Sequence, residues 1–384
     1  MSNHLLKRTI VVIFCVSFLL GFAQQSYQQI PNNILETFQQ LNNYNKENIF
    51  KQYFQNAILV EDYLPKGYSK EGNEDYTVYI QKALNAGTNI VMPAFPIMVN
   101  EKGITLKSNS KIFFPDGAEM RMKPNNTGSY QAISMQNIEN IDLYFPVLKG
   151  DRKQHIGEDG EWGMGILIKN GKNIKIINPK ISEFWGDGIY IGATDNNNSE
   201  NIIIANGLLD YNRRNAISII SGKNITIENS LLANTMGTPP CFGIDMEPNN
   251  NHNTLDNIVL KNNSTYNNEV GIGVVLDMLI GENIKNINIS VNNHKDYKSN
   301  ESGIEFFVDR GYSKLSNSNL RGNITINRLE TFDSQNAVKL NKSKAVLNLK
   351  ILGKNINVTS NRSFHKYSKI LDNAVNRGQE VIVK

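Results

Sequence analysis

The chain is poor in the features that assign a protein quickly. It holds two cysteines in 384 residues, and Cys15 falls within an N-terminal apolar run, which leaves Cys241 alone. A lone cysteine closes no internal disulfide, so stability has to come from packing. With no companion motif, Cys241 reads as a buried core thiol rather than a nucleophile. Tryptophan is as scarce, with only Trp162 and Trp185. Charge of one sign is also missing. The formal net charge is +4, and subtracting Lys7 and Arg8, the charged residues of the first 23, leaves +2. That balance is too weak to argue for nucleic acid or an anionic surface. Beyond residue 23 no apolar run is long enough to span a membrane.

What is present begins with a secretory signal over residues 1–23. Lys7 and Arg8 form its basic region, Thr9 to Leu20 is apolar, and Gly21-Phe22-Ala23 offers a small-residue cleavage site. The expectation is a secreted or periplasmic protein with no membrane segment in its mature form.

Repeats decide the architecture. A small residue followed by apolar-x-apolar begins at Gly165, Gly188, Ala216, Gly243, Gly271, Gly303 and Ala337, with successive differences of 23, 28, 27, 28, 32 and 34 residues. A coil of that size with short strands is one rung of an all-β solenoid, a right-handed parallel β-helix, in which each rung buries its apolar residues against its neighbours. A second series, Asn-apolar-x-apolar, begins at Asn140, Asn173, Asn201, Asn224, Asn257, Asn286, Asn323 and Asn355. Asn tolerates the left-handed backbone of a sharp turn, and its amide can bond the Asn of the next rung. Helical spacing in residues 28–60 and from Asp75 to Gly87 suggests a helical N-terminal cap over 24–88. The solenoid then spans 89–360, and a helical run with V-I-V forms a C-terminal cap over 361–384.

From roughly Tyr63 to Val358 the sequence resembles the right-handed parallel β-helix proteins of the pectate lyase and polygalacturonase-like superfamily. The stretch Glu74 to Phe95, E-D-Y-T-V-Y-I-Q-K-A-L-N-A-G-T-N-I-V-M-P-A-F, is similar to that group's opening helix and first strand. The resemblance implies a polysaccharide-acting protein without choosing the reaction. The polygalacturonase motifs are absent: Asp187 stands singly in W-G-D-G, and there is no G-H-G or R-I-K. The R-x-P-x-x-R segment of pectate lyases is absent too. Pectin therefore lapses as a substrate, and carbohydrate remains.

Two places into each repeat comes the outward residue: Leu167, Tyr190, Ser218, Asp245, Gly273, Glu305 and Lys339 form a column at roughly 4.8 Å spacing. Asp245 and Glu247 are i, i+2 on one strand, and glycoside cleavage needs one carboxyl protonated and another ionised. Asp187 precedes its strand closely enough to assist them. Arg213 and Arg214 read as a clamp for an anionic sugar, one of them alternatively pairing with an acid. The insertion Gly150 to Gly165 adds His155 as an acid or base and Glu161. Trp162 and Trp185 would frame the sugar, with Tyr190 and Glu305 extending the groove. No ligand spacing specifies a metal, so no cofactor is expected, with a Ca2+ requirement left open. The expected function is a secreted glycoside hydrolase with a polysaccharide or oligosaccharide substrate. The alternatives are a polysaccharide lyase or uronate epimerase on the same patch, and a non-catalytic carbohydrate-binding or adhesive β-helix.

Overall fold

The computed structural model describes residues 26–194, 197–308, 317–341, 346–359 and 380–383. The predicted signal and the helical part of the predicted C-terminal cap lie outside the described residues.

The chain winds as a parallel β-helix. Each central rung contributes one strand to a nine-stranded sheet and then two to a second, larger sheet, as in Trp162–Lys169, Lys172–Ile177 and Lys180–Ser182. Register follows the apolar repeat. Ile166, Ile189, Ile217, Ile244, Ile272, Ile304 and Val338 pair rung upon rung and are all buried in one continuous core. Burying each such aliphatic side chain stabilises by roughly 1.5–3 kcal/mol, and a one-residue slip would turn the whole row outward.

The corners need left-handed backbone. Phe145, Asn178, Asn206, Asn229 and Asn262 turn the chain between the two strands of the larger sheet, and Asn293 makes the same bend inside the long strand Lys285–Tyr297, all with φ between 51° and 59°. Outside the corners, the amides of Asn140, Asn173, Asn201, Asn224 and Asn257 each donate to the Asn one rung below, at 2.8–3.0 Å. This is the expected Asn series, but it stops at Asn257. Asn286 and Asn323 lack the left-handed backbone that the five share, and Asn355 occupies a corner register instead.

Among the described residues of the N-terminal segment, helix Thr77–Ala86 packs into the main core, burying Ile80, Ala83 and Leu84. Helix Asn32–Gln39 lies along the flank, where Ile30 and Ile34 pack on Leu231, Ala233 and Tyr266. Helix Lys46–Tyr53 also lies on a side face, with Phe50 edge-on to Phe113. Helix Asn32–Gln39 buries Tyr266 and partly covers Leu208 on the flank strands, which removes apolar surface from water. At the other end, Glu380–Val383 pairs antiparallel with Val346–Thr359 and covers that edge. Among the described residues no helix is long and apolar enough to cross a membrane.

Candidate active site

The predicted column exists. Leu167, Tyr190, Ser218, Asp245, Gly273, Glu305 and Lys339 are register partners along the nine-stranded sheet. It is not a solvated face, however. Ser218 and Asp245 are fully buried, because the residues ahead of each strand fold over them.

Arg214 does most of the covering. Its Nη1 donates to Asp187 Oδ2 at 3.2 Å and its Nη2 to Glu247 Oε2 at 3.3 Å. Asp245 Oδ2 lies 4.0 Å from Nη2, and Glu161 Oε2 lies 3.8 Å from Nε. One guanidinium thus serves four carboxyls. Asp187 and Asp245 side chains are sealed, Arg214 is 13% exposed, and Glu247 and Glu161 keep 31% and 35% of their surface. The two that reach solvent are Glu247 and Glu161.

Electrostatics follow from burial. Burial and the neighbouring Glu247 push Asp245 well above the usual carboxylate range, against the pull of Arg214. Burial raises Asp187 as well, opposed by Arg214 and by donation from Ser218 and the Asn215 backbone. Burial alone would lower the Arg214 guanidinium, but the acids outweigh it and hold it above its ordinary value. Four acids share one cation, and of the two sealed aspartates Asp245 is the one pushed up most strongly, by burial and by Glu247.

The loop before Trp162 is built to present Glu161. His155 Nδ1 lies 2.8 Å from Asp151 Oδ2, and Asp151 also accepts from Tyr130 and Asn125. Trp185 Nε1 donates to Asp159 O at 3.2 Å, and Arg213 Nη1 to Gly160 O at 2.7 Å. A Cβ on Gly186 would stand 2.4 Å from Glu161 O, so only glycine lets the loop approach this closely.

These contacts correct several expectations. Arg213 and Arg214 form no clamp: the Arg213 guanidinium stacks 3.8 Å over the Trp185 ring and bonds loop carbonyls. His155 stacks on the same ring at 4.0 Å, so Trp185 has no free face for a sugar. The His155 side chain is itself sealed, which removes it as an acid or base on substrate. Trp162, next to Glu161 in sequence, is 51% exposed. Tyr190 lies over Gly192, with Asn249 near its hydroxyl. Glu305 sits two rungs from Asp245, roughly 10 Å away, in a separate group. There it accepts from Ser302 at 3.0 Å and pairs with Lys339 at 3.1 Å. Cys241 is in the loop before its strand, not in the core, and burial pushes its thiol up to about 12, which removes it as a nucleophile.

Asn215, which the sequence did not single out, and Ser218 of the predicted column both join the acids. Asn215 Nδ2 donates to Asp245 Oδ2 at 2.8 Å, and Ser218 Oγ donates to Asp187 Oδ2 at 2.8 Å. The place just before the small residue carried little signal: it holds Met164, Phe242 and Val270 in three rungs but Asp187, Asn215, Ser302 and Asn336 in the other four, so Asp187 and Asn215 do not stand out from the series. Among the described residues no three His, Cys, Asp or Glu side chains are grouped to hold a metal ion; the cation of this site is Arg214.

Fold and site together define a parallel β-helix protein with an acidic cluster on one face. No family model matches the chain. It is 30% identical over 213 residues to the uncharacterized protein YclG of Bacillus subtilis strain 168, a match covering 47% of this chain and 36% of that relative's length. It superposes on the A-module of the mannuronan C-5 epimerase AlgE6 of Azotobacter vinelandii with a TM-score of 0.53 and 13% identity, over 80% of this chain and 91% of that one. It superposes on a tailspike protein of the E. coli bacteriophage HK620 with a TM-score of 0.54 and 12% identity, over 80% and 66%. At these identities the likeness to solved structures is one of fold.

Proposed function

We propose that the chain is a secreted glycan-cleaving enzyme, a glycoside hydrolase in which Glu247 and Glu161 meet the substrate. The observation that carries this is the sharing of Arg214 by four carboxyls, of which two are sealed and two reach solvent. Asp245 serves as the buried proton store for Glu247. Glu247 protonates the glycosidic oxygen as the carbon–oxygen bond breaks, and Asp245 restores its proton. Glu161, beside Arg214, either takes a proton from the water whose oxygen bonds the anomeric carbon, or bonds that carbon itself until a water deprotonated by Glu247 displaces it. In each case the proton taken from water recharges the Glu247–Asp245 pair. Because Glu247 and Glu161 both reach one guanidinium, their nearest oxygens are at most about 9 Å apart, a ceiling that admits a retaining spacing of roughly 5 Å and most of the inverting range of roughly 6.5–9.5 Å. Exposed Trp162 offers its ring to a pyranose.

The AlgE6 module is named for a polysaccharide, mannuronan, which supports a glycan as the partner here. The charge of the site argues against a uronate: Arg213 is turned away and Arg214 is outnumbered by acids, so a neutral or amino sugar suits it better than an anionic one. That also weakens the lyase and epimerase readings, which need a free cation for the sugar carboxylate.

The test is reducing-end release from a panel of neutral, amino and acidic glycans by wild type, Glu247→Gln and Glu161→Gln. A positioned acid or base contributes roughly 10²- to 10⁴-fold, so each variant should lose at least 100-fold. Either one retaining more than a tenth of wild-type activity removes that residue from the chemistry.

A further inference from the structure

We infer that Asn215 is a positioning residue that sets where the protons of the acidic cluster lie: it leaves Oδ1 of Asp245 as the protonated oxygen and turns the Ser218 hydroxyl onto an ionised Asp187.

The argument starts from a group whose role is not adjustable. The backbone N–H of Phe242 points at one side-chain atom of Asn215 at 2.8 Å. A backbone N–H only donates, so that atom is Oδ1, and the amide orientation is fixed. Nδ2 then has two hydrogens to place. It donates to Asp245 Oδ2 at 2.8 Å and to Ser218 Oγ at 3.1 Å. With its oxygen already accepting, Ser218 sends its own hydrogen to Asp187 Oδ2 at 2.8 Å. Asp187 Oδ1 meanwhile accepts from the Asn215 backbone at 3.0 Å, and Arg214 Nη1 faces both oxygens at 3.5 and 3.2 Å. Donors thus occupy both Asp187 oxygens, which holds that group as the carboxylate.

Asp245 is the opposite case. Its Oδ2 is engaged by Asn215, whereas Oδ1 is buried without a hydrogen-bond partner, and an unpaired carboxylate oxygen is costly to bury. A proton on Oδ1 removes that cost and gives the oxygen something to donate to the adjacent Glu247. The charged and titratable groups facing the pair are Arg214, Glu247, Tyr190 and, through Arg214, Glu161.

Buried asparagines serve two uses in this fold: Asn234, which accepts from the Gln28 N–H at 3.2 Å and donates to Asp210 at 2.7 Å, shares the Asn215 pattern away from the acidic cluster, whereas two others are purely structural. Asn212 and Asn268 also accept from a backbone N–H, Phe184 at 3.1 Å and Thr235 at 3.0 Å, but spend their own hydrogens on backbone carbonyls, Ile181 and Leu232. They staple turns. Asn215, unlike those two, directs its hydrogens at ionisable chemistry.

The inference rests on the hydrolase reading only for its effect on activity, because protonation is measurable without a glycan. The experiment is a 13C NMR titration of the intact protein carrying carboxyl-labelled aspartate, with Asp187→Asn and Asp245→Asn assigning the two resonances. In wild type, Asp245 should keep its proton at a pH where Asp187 is already ionised. Asn215→Leu removes a hydrogen bond to the charged form of Asp245 and should move its titration up by about one to two pH units. Ser218→Ala, a smaller change that keeps the test alive if Asn215→Leu does not fold, should raise Asp187 by a similar amount. On a cleaved glycan, the alkaline limb of the rate profile should move up with Asp245 in Asn215→Leu; a staple would lower the rate without moving the limb. Joint titration of the two aspartates in wild type, or titrations unmoved in both variants, overturns the inference. Those results leave the hydrolase reading standing if Glu247→Gln is inactive. The expected titrations with no glycan shortened would do the reverse.

Discussion

Removing the one cation of the cluster is the most informative perturbation of stability. Arg214→Gln keeps a polar side chain of moderate length but leaves Asp187, Asp245, Glu247 and Glu161 without the guanidinium that lies 3.2–4.0 Å from them. Glu247 and Glu161 are about a third exposed, so solvent screens their loss and their share is small. Asp187 and Asp245 are sealed. Breaking a buried pair from one side costs about 3–5 kcal/mol, because the partner stays buried and uncompensated. The sign with pH follows from the direction of the shifts. Both aspartates already sit above their ordinary range when folded, and loss of Arg214 raises them further. A raised acid contributes stability that is complete below its unfolded value and is lost as pH rises through its folded value. The variant should therefore lie within about 1 kcal/mol of wild type near pH 4.5 and about 3–5 kcal/mol below it near pH 8. Urea denaturation of both proteins at three pH values measures this. A deficit equal at all pH values would show that Arg214 matters by packing. A deficit under 1 kcal/mol at pH 8 would place it among ordinary surface ion pairs, and either result refutes the reasoning.

Further outcomes follow from the scaffold. Asn201 has φ 55° and stands in two ladder bonds of 2.9 Å, so Asn201→Ala should cost about 2–4 kcal/mol by denaturation, and Asn201→Gly about 1 kcal/mol less, since glycine accepts the left-handed backbone. A Cβ at Gly273 would stand 2.2 Å from Phe242 Cδ2; Gly273→Ala should cost about 1–3 kcal/mol, and adding Phe242→Leu should restore part of it. Asp296 is buried and pushed from 3.8 to about 6, so wild type should lose about 2.5 kcal/mol between pH 4 and pH 7.5 that Asp296→Asn does not lose. His294 is buried and lowered to about 3; its contribution is present above pH 6.5 and drains away on acidification, and His294→Leu should flatten that acid limb in the same denaturation series.

The fold was legible because a solenoid repeats its reasons. Seven small-apolar-x-apolar phrases recur at one coil's spacing, and each position of the phrase returns to the same register. The column from Leu167 to Lys339 was readable for the same cause. Burial was not readable, because it depends on what folds over the column, and nothing in R-R-N-A-I-S-I says that Arg214 turns inward while Arg213 turns onto Trp185. The flank helices escaped for a related reason: the helical spacing of Ile34 and Leu35 marks an apolar face without saying which surface it covers. Asn215 was missed because asparagine is so common in this chain that one placed beside two aspartates looked like another turn residue.

The central claim is that Glu247 and Glu161 hydrolyse a glycan, and product mass tests it most directly. Wild type incubated with the glycan panel should yield fragments heavier by one water per cleavage, and Glu247→Gln should yield none on the same timescale. Fragments carrying a new double bond, or a glycan that binds at this face and is never shortened, would contradict the account.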